Sequence, residues 1–192
     1  MINLALNFIA KNIQTYLGLQ LGEIKDYILL GNVSNLDTGS DSSLQNKIIL
    51  SVVNIEEDRI SRSPDNYSRI DRQVIYKNPP IYLNLDILFA ANYTDYYTSL
   101  LLISNVIKFF QFQNVFTPLN SPNLPPGIEE LIFDLKTLSL QDLNNLWGIL
   151  GSKYIPSVVY KMRLIIISDD FSQGMAQPVI EIKVNDNNWN QS

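Results

Sequence analysis

Cysteine and histidine are both absent from the 192 residues, so the fold must be held by burial and hydrogen bonds alone. No disulfide can staple it, and zinc, iron and copper sites lose their usual ligands. The same absence removes Ser–His, Cys–His and all histidine acid–base chemistry. A chain of this length buries roughly 70% of the surface its unfolded form exposes, enough for one core without staples or metals. With 14 Lys plus Arg against 19 Asp plus Glu, the net charge is -5 and the pI about 4.7. A nucleic-acid partner would demand a basic face to displace counterions. Composition therefore points to binding or assembly, with no cofactor and no nucleic acid.

Asn84, Asp86, Asn105 and Lys108 interrupt the two richest apolar runs, so neither reaches the eighteen or so residues of a membrane helix, and no direct membrane insertion is expected. No basic leader precedes the first apolar stretch, which Asn3 and Asn7 break, so no secretory signal is expected. The Asn-x-Ser/Thr triplets at Asn32, Asn66, Asn92 and Asn190 are near chance in so asparagine-rich a chain.

Ile2, Leu6, Ile9, Ile13 and Leu17 recur at steps of three and four, one apolar stripe on an opening helix that Gly18 and Gly22 can stop. Tyr27 to Leu30 reads as a short strand ended by Gly31, followed by a polar loop from Leu36 to Ser43. Ile48 to Ile55 is dense in β-branched residues and reads as a strand running into Glu56, Glu57 and Asp58. A long polar excursion, about 57–80, then holds Arg59, Arg62, Arg69 and Arg72 and ends at Asn78-Pro79-Pro80. Ile81, Leu83, Leu85, Ile87 and Phe89 alternate with Tyr82, Asn84, Asp86 and Leu88, which predicts a strand with one wet face.

Asn92 is the expected cap of a helix over Tyr93 to Phe112, with Tyr96, Leu100, Ile103, Ile107 and Phe110 on its buried face and Asp95 in its first turn. Asn114 to Gly127 is a loop with four prolines, and Ile128 to Leu138 alternates again, Leu131, Phe133 and Leu135 on one side. Ser139, with Asp142 three residues on, caps a short helix that ends at Gly151. Pro156 opens the longest strand, Val158 to Ile167; Val179 to Val184 can form a last one, and 185–192 reads as a flexible tail. The order lacks a βαβα alternation. It predicts one α+β domain over 1–184, with a mostly antiparallel or mixed sheet packed by an N-terminal, a long middle and a short third helix.

Leu36-Asp37-Thr38-Gly39-Ser40 spells the aspartic-protease signature. One chain supplies only one such Asp, so a homodimer would be needed to share a proton between two. Polar Ser34 and Asn35 precede it where apolar residues are wanted, and Ile149-Leu150-Gly151 lies at a predicted helix end, so a polar turn is the better reading. The carboxylate runs at 56–58, 129–130 and 169–170 lack calcium-loop spacing. Phe109, Phe110, Phe112 and Phe116 cannot all be buried by a single helix face, which marks Phe112 and Phe116 as candidates for an apolar contact patch.

Several blocks in order carry a resemblance: Gly31-Asn32-Val33-Ser34, Ile48 to Asp58, Asn78 to Leu85, Tyr93 to Phe116, Leu146 to Gly151 and Lys153 to Arg163. Together, over about residues 2–167, the chain resembles the tail-terminator, or cap, family of extracellular contractile injection systems, phage-tail-like particles that include the antifeeding prophage and virulence cassettes. The resemblance implies a non-catalytic hexameric ring that stops growth of the inner tube and touches the last sheath ring. It also implies assembly in the cytoplasm before the particle is released or held at the envelope. An accessory adaptor that bridges the particle to the envelope is the alternative, and the homodimeric peptidase using Asp37 a remote third. The expected assembly residues are Asn54, Glu56, Glu57, Arg59, Arg62, Arg69, Arg72, Phe112, Phe116, Lys161 and Arg163.

Overall fold

The computed structural model describes residues 1–36, 42–58, 67–70, 73–76, 81–167 and 174–176. Among these residues lie helices α1 (Ile2–Leu21), α2 (Tyr96–Phe112) and α3 (Leu140–Leu150). The strands are β1 (Ile28–Leu30), β2 (Lys47–Glu57), β3 (Tyr67–Ile70), β4 (Gln73–Tyr76), β5 (Ile81–Asn92), β6 (Val115–Phe116), β7 (Leu131–Lys136), β8 (Ser157–Ile167) and β9 (Gly174–Ala176). Six strands form one sheet in the order β1-β2-β5-β8-β7-β6, and β3-β4-β9 form a second. Among the described residues, only the β1–β2 pairing is parallel. The architecture is the expected α+β with a mixed sheet.

Strand β5 lies between β2 and β8 and is buried from Asn84 through Ala91 on both faces, which corrects the expectation of a wet face. Leu85, Ile87, Phe89 and Ala91 join Leu6, Ile9 and Ile13 of α1 and Leu102, Val106 and Phe110 of α2 in the larger core. The alternate residues Leu88 and Ala90 meet Ile49, Val159 and Trp147 of α3 in a smaller core. The period of two was legible; the cover on the second face comes from α3, far along the chain, which no local pattern announces.

Helix ends follow local chemistry. Gly22 takes φ 69° and Gly151 φ 65°, left-handed conformations that end α1 and α3. Ser139 and Asp142 form the expected capping box. For α2 the cap is Asp95, whose carboxylate accepts from the Thr98 N–H at 2.9 Å, whereas Asn92 remains in β5 and donates to the Leu44 carbonyl at 3.0 Å. The hydroxyl and then the N–H of Thr98 hold the Asp95 carboxyl below its usual range. Strand pairing of Asn92 with Lys47 keeps the chain extended three residues longer than propensity suggests. The long polar excursion after β2 contains structure, the antiparallel β3–β4 pair. The Val179–Val184 strand, the 185–192 tail and Asn78-Pro79-Pro80 lie outside the described residues.

The buried face of α2 is Ser99, Leu102, Ile103, Val106, Phe109 and Phe110, rotated from the predicted stripe so that Tyr96, Leu100 and Ile107 are exposed. Phe110 is the hub: its ring stands 4.6 Å from Phe133, 4.4 Å from Tyr160, 5.1 Å from Phe109 and 5.6 Å from Phe89, centroid to centroid. Phe110→Ala is expected to lower unfolding free energy by about 3–5 kcal/mol and Phe112→Ala by less than about 0.5 kcal/mol, read from urea denaturation. Burial pushes the Tyr160 hydroxyl up to about 12, against about 10 in an unfolded chain. The folded state thus holds the extra proton between those values, and stability is intact below about pH 10 and falls as pH rises through about 12. Tyr160→Phe should remove that loss, about 2–3 kcal/mol near pH 12, in urea melts across the alkaline range.

Candidate assembly surfaces

Two bulges shape the second face of the large sheet. In β2 the register shifts between Val52 and Asn54, and between β5 and β8 it shifts across Leu83 and Leu85. Ile49, before the first bulge, and Val53, within it, point to the α3 side. The extra residue reverses the alternation, so that Asn54 stands opposite Asp86, and Glu56 opposite Asn84. Asn54 and Glu56 are thereby placed on the same face as Asp86, and beyond the cover of α3 this face becomes a strip of charge.

The strip crosses four strands. Asp86 of β5 is opposite Lys161 of β8, itself opposite Asp134 of β7. Lys136 Nζ lies 2.7 Å from Asp86 Oδ2, Lys161 Nζ 3.3 Å from Glu56 Oε2, and Arg163 Nη2 2.6 Å from Asp134 Oδ2. Asn54 Nδ2 links the set by donating to Glu56 Oε1 at 2.8 Å and Asp86 Oδ2 at 3.2 Å. Three carboxylates thus face three cations with no net charge. Asp86 is only 5% exposed and Asn84 8%, yet Asp86 Oδ1, Asn84 Oδ1 and Arg163 Nε are buried without a partner among the described residues.

Asn54, Glu56, Lys161 and Arg163, expected from sequence, are therefore brought together, joined by Asp86, Asp134 and Lys136, which sequence reasoning had placed on strand faces without a role. The available signal was their shared parity within β5 and β7. Glu57 is exposed at the end of β2 opposite Leu83. Phe112 is 83% exposed at the end of α2, while Phe116 is 1% exposed, its ring 5.7 Å from those of both Phe8 and Phe133. Phe116 is a core residue, a correction to its assignment as surface, because β6 folds it back under α1. Arg69 lies in β3 opposite Val74. Arg59, Arg62, Arg72 and Asp37 lie outside the described residues, and Ile149-Leu150-Gly151 forms the end and cap of α3.

Among the described residues no three His, Cys, Asp or Glu side chains are grouped to hold a metal ion, and no helix is long and apolar enough to cross a membrane. What the geometry offers is surface: a balanced charged strip on one side of the sheet and exposed aromatics on α2 on the other.

In fold the chain is similar to the PVC sheath/tube terminator, in its extended state, of an extracellular contractile injection system (TM-score 0.55, 16% identity, 96% of this chain and 63% of that one). It is also similar to the tube-terminating cap of the anti-feeding prophage (TM-score 0.62, 14% identity, 93% of this chain and 59% of that one). The chain spans about three-fifths of the length of these two relatives. No curated protein matches it. The model of the Pvc16 N-terminal domain matches residues 7–181, and the chain belongs to that family. The resemblance read from the sequence is borne out.

The strip also makes an energetic distinction. Lys136→Met strands the buried Asp86 carboxylate and should cost about 2–3 kcal/mol, whereas Lys161→Met, which breaks a half-exposed pair, should cost less than about 1 kcal/mol. Combining Lys136→Met with Asp86→Leu should recover most of the first loss, in a double-mutant cycle by urea denaturation.

Proposed function

We propose that this chain is the structural cap that ends inner-tube and sheath growth at the distal end of a contractile, phage-tail-like injection particle. The observation that carries the reading is the family match over nearly the whole chain, joined to a fold shared with two terminators over more than nine-tenths of its length. In this reading the cap works as a homo-hexameric ring, assembled in the cytoplasm with tube and sheath proteins as partners, and no catalytic step is involved.

The physics required is geometric. A closed ring uses a heterologous contact, one patch of a subunit against a different patch of the next, at a rotation that closes after a fixed number of copies. Termination then needs one end that docks on the last tube ring and an opposite end that offers nothing to another. The charged strip suits the docking role. Its pairs are already satisfied within the protomer, so it contributes specificity and register more than affinity.

Purified protein is expected to appear by negative-stain electron microscopy at one end only of tubes assembled from the particle's tube protein. Deleting its gene should give tubes and sheaths of uncontrolled length. A deletion population with unchanged lengths would count decisively against the cap.

A further inference from the structure

The exposed side of α2 is apolar where a solvent-facing helix should be polar. Tyr96, Tyr97, Leu100, Leu101, Ile107 and Phe112 are all exposed, and Lys108, also exposed, is the helix's single charged residue. Helix α3 carries the complement. Leu140 and Ile149 at its two ends are exposed, and beside it opens a hollow of about 630 Å³ lined in part by Leu143, Trp147 and Tyr154. Asp142, exposed, is the only charged residue of α3.

Trp147 gives this hollow a chemical demand. It is 5% exposed and its ring stacks edge-on to Tyr154 at 5.6 Å, yet its Nε1–H, buried, has no acceptor. An indole N–H that is buried ordinarily finds a partner, and one left unpaired costs free energy; a docked acceptor meets it once the Trp147 ring turns toward the hollow it lines. Tyrosine hydroxyls, which accept as well as donate, stand on the α2 face at Tyr96 and Tyr97.

The two helices pack on opposite faces of the sheet, α2 on the side of Leu85, Ile87 and Phe89, α3 on the side of Leu88 and Ala90. Within one protomer they cannot meet. We propose that the exposed face of α2 in one copy seats on the α3 hollow of the next copy, with Lys108 facing Asp142 across the contact. Lys108 against Asp142 is an opposed pair where α2 on α2 would set lysine against lysine, and Lys153, which also lines the hollow, is left to the rim; the apolar residues supply burial, and the unlike patches on opposite sides make the contact head-to-tail, the type that builds a ring rather than a closed pair. This inference rests on the ring reading above and names the surfaces that reading leaves open.

The test uses two double variants at exposed positions: Tyr97→Asp with Phe112→Lys on α2, and Leu140→Asp with Ile149→Lys on α3. Circular dichroism melts matching wild type establish that both fold. In sedimentation velocity on the full chain, each variant alone should be monomeric, its self-association weakened by at least about 30-fold. Mixed in equal amounts, they should form a heterodimer, because each retains the patch the other lacks. If either variant assembles like wild type, if the mixture stays monomeric, or if wild type itself is monomeric up to its solubility limit, the proposed contact is wrong. Tube-end binding by wild type is scored separately, so that failure of the contact and failure of the cap reading are told apart.

Discussion

A central strand buried on both faces sets the terms for the rest of this fold. Strand β5 is flanked by β2 and β8 along most of its length, so its backbone is satisfied by pairing, and each face must then be covered by something apolar. Helices α1 and α2 cover one, through Phe89 and its neighbours; α3 with Ile49 and Val159 covers half of the other. Where α3 stops, the second face is left to side chains that satisfy one another, and the ion pairs of Asp86, Glu56 and Asp134 take over from apolar packing. The charged strip is thus the continuation of the core by other means.

The two bulges are what make that continuation possible. Had Val53 paired opposite Asp86 in unbroken register, Asn54 and Glu56 would fall on the α1 and α2 side, in the apolar core, and Asp86 would lose its neighbour. A balanced strip of three acids and three bases adds little net field, in a chain whose overall charge is -5. Its ion pairs tie β2 to β8, β5 to β7 and β7 to β8.

The aromatic side of α2 and the hollow beside α3 face away from one another across the sheet, so neither can cover the other within one protomer. Two solved structures that share the fold are named for ending tubes and sheaths.

Local chemistry settled much of this from the residues alone. The stripe of α1, the Ser139–Asp142 box, the Gly22 and Gly151 stops and the period of β5 all depend on neighbours within a few positions, and each stood where the spacing predicted. The family was also legible, because block order survives where single blocks are weak. Only the tertiary structure decided which asparagine or aspartate caps α2, since the pairing of Asn92 with Lys47 competes with helix formation. It alone turned Phe116 inward while leaving Phe112 in solvent, and it alone buried Asp86 beside Lys136, fifty residues away in sequence. These outcomes depend on contacts between distant segments, and on a one-residue bulge that inverts a face, which no local pattern of hydrophobicity encodes.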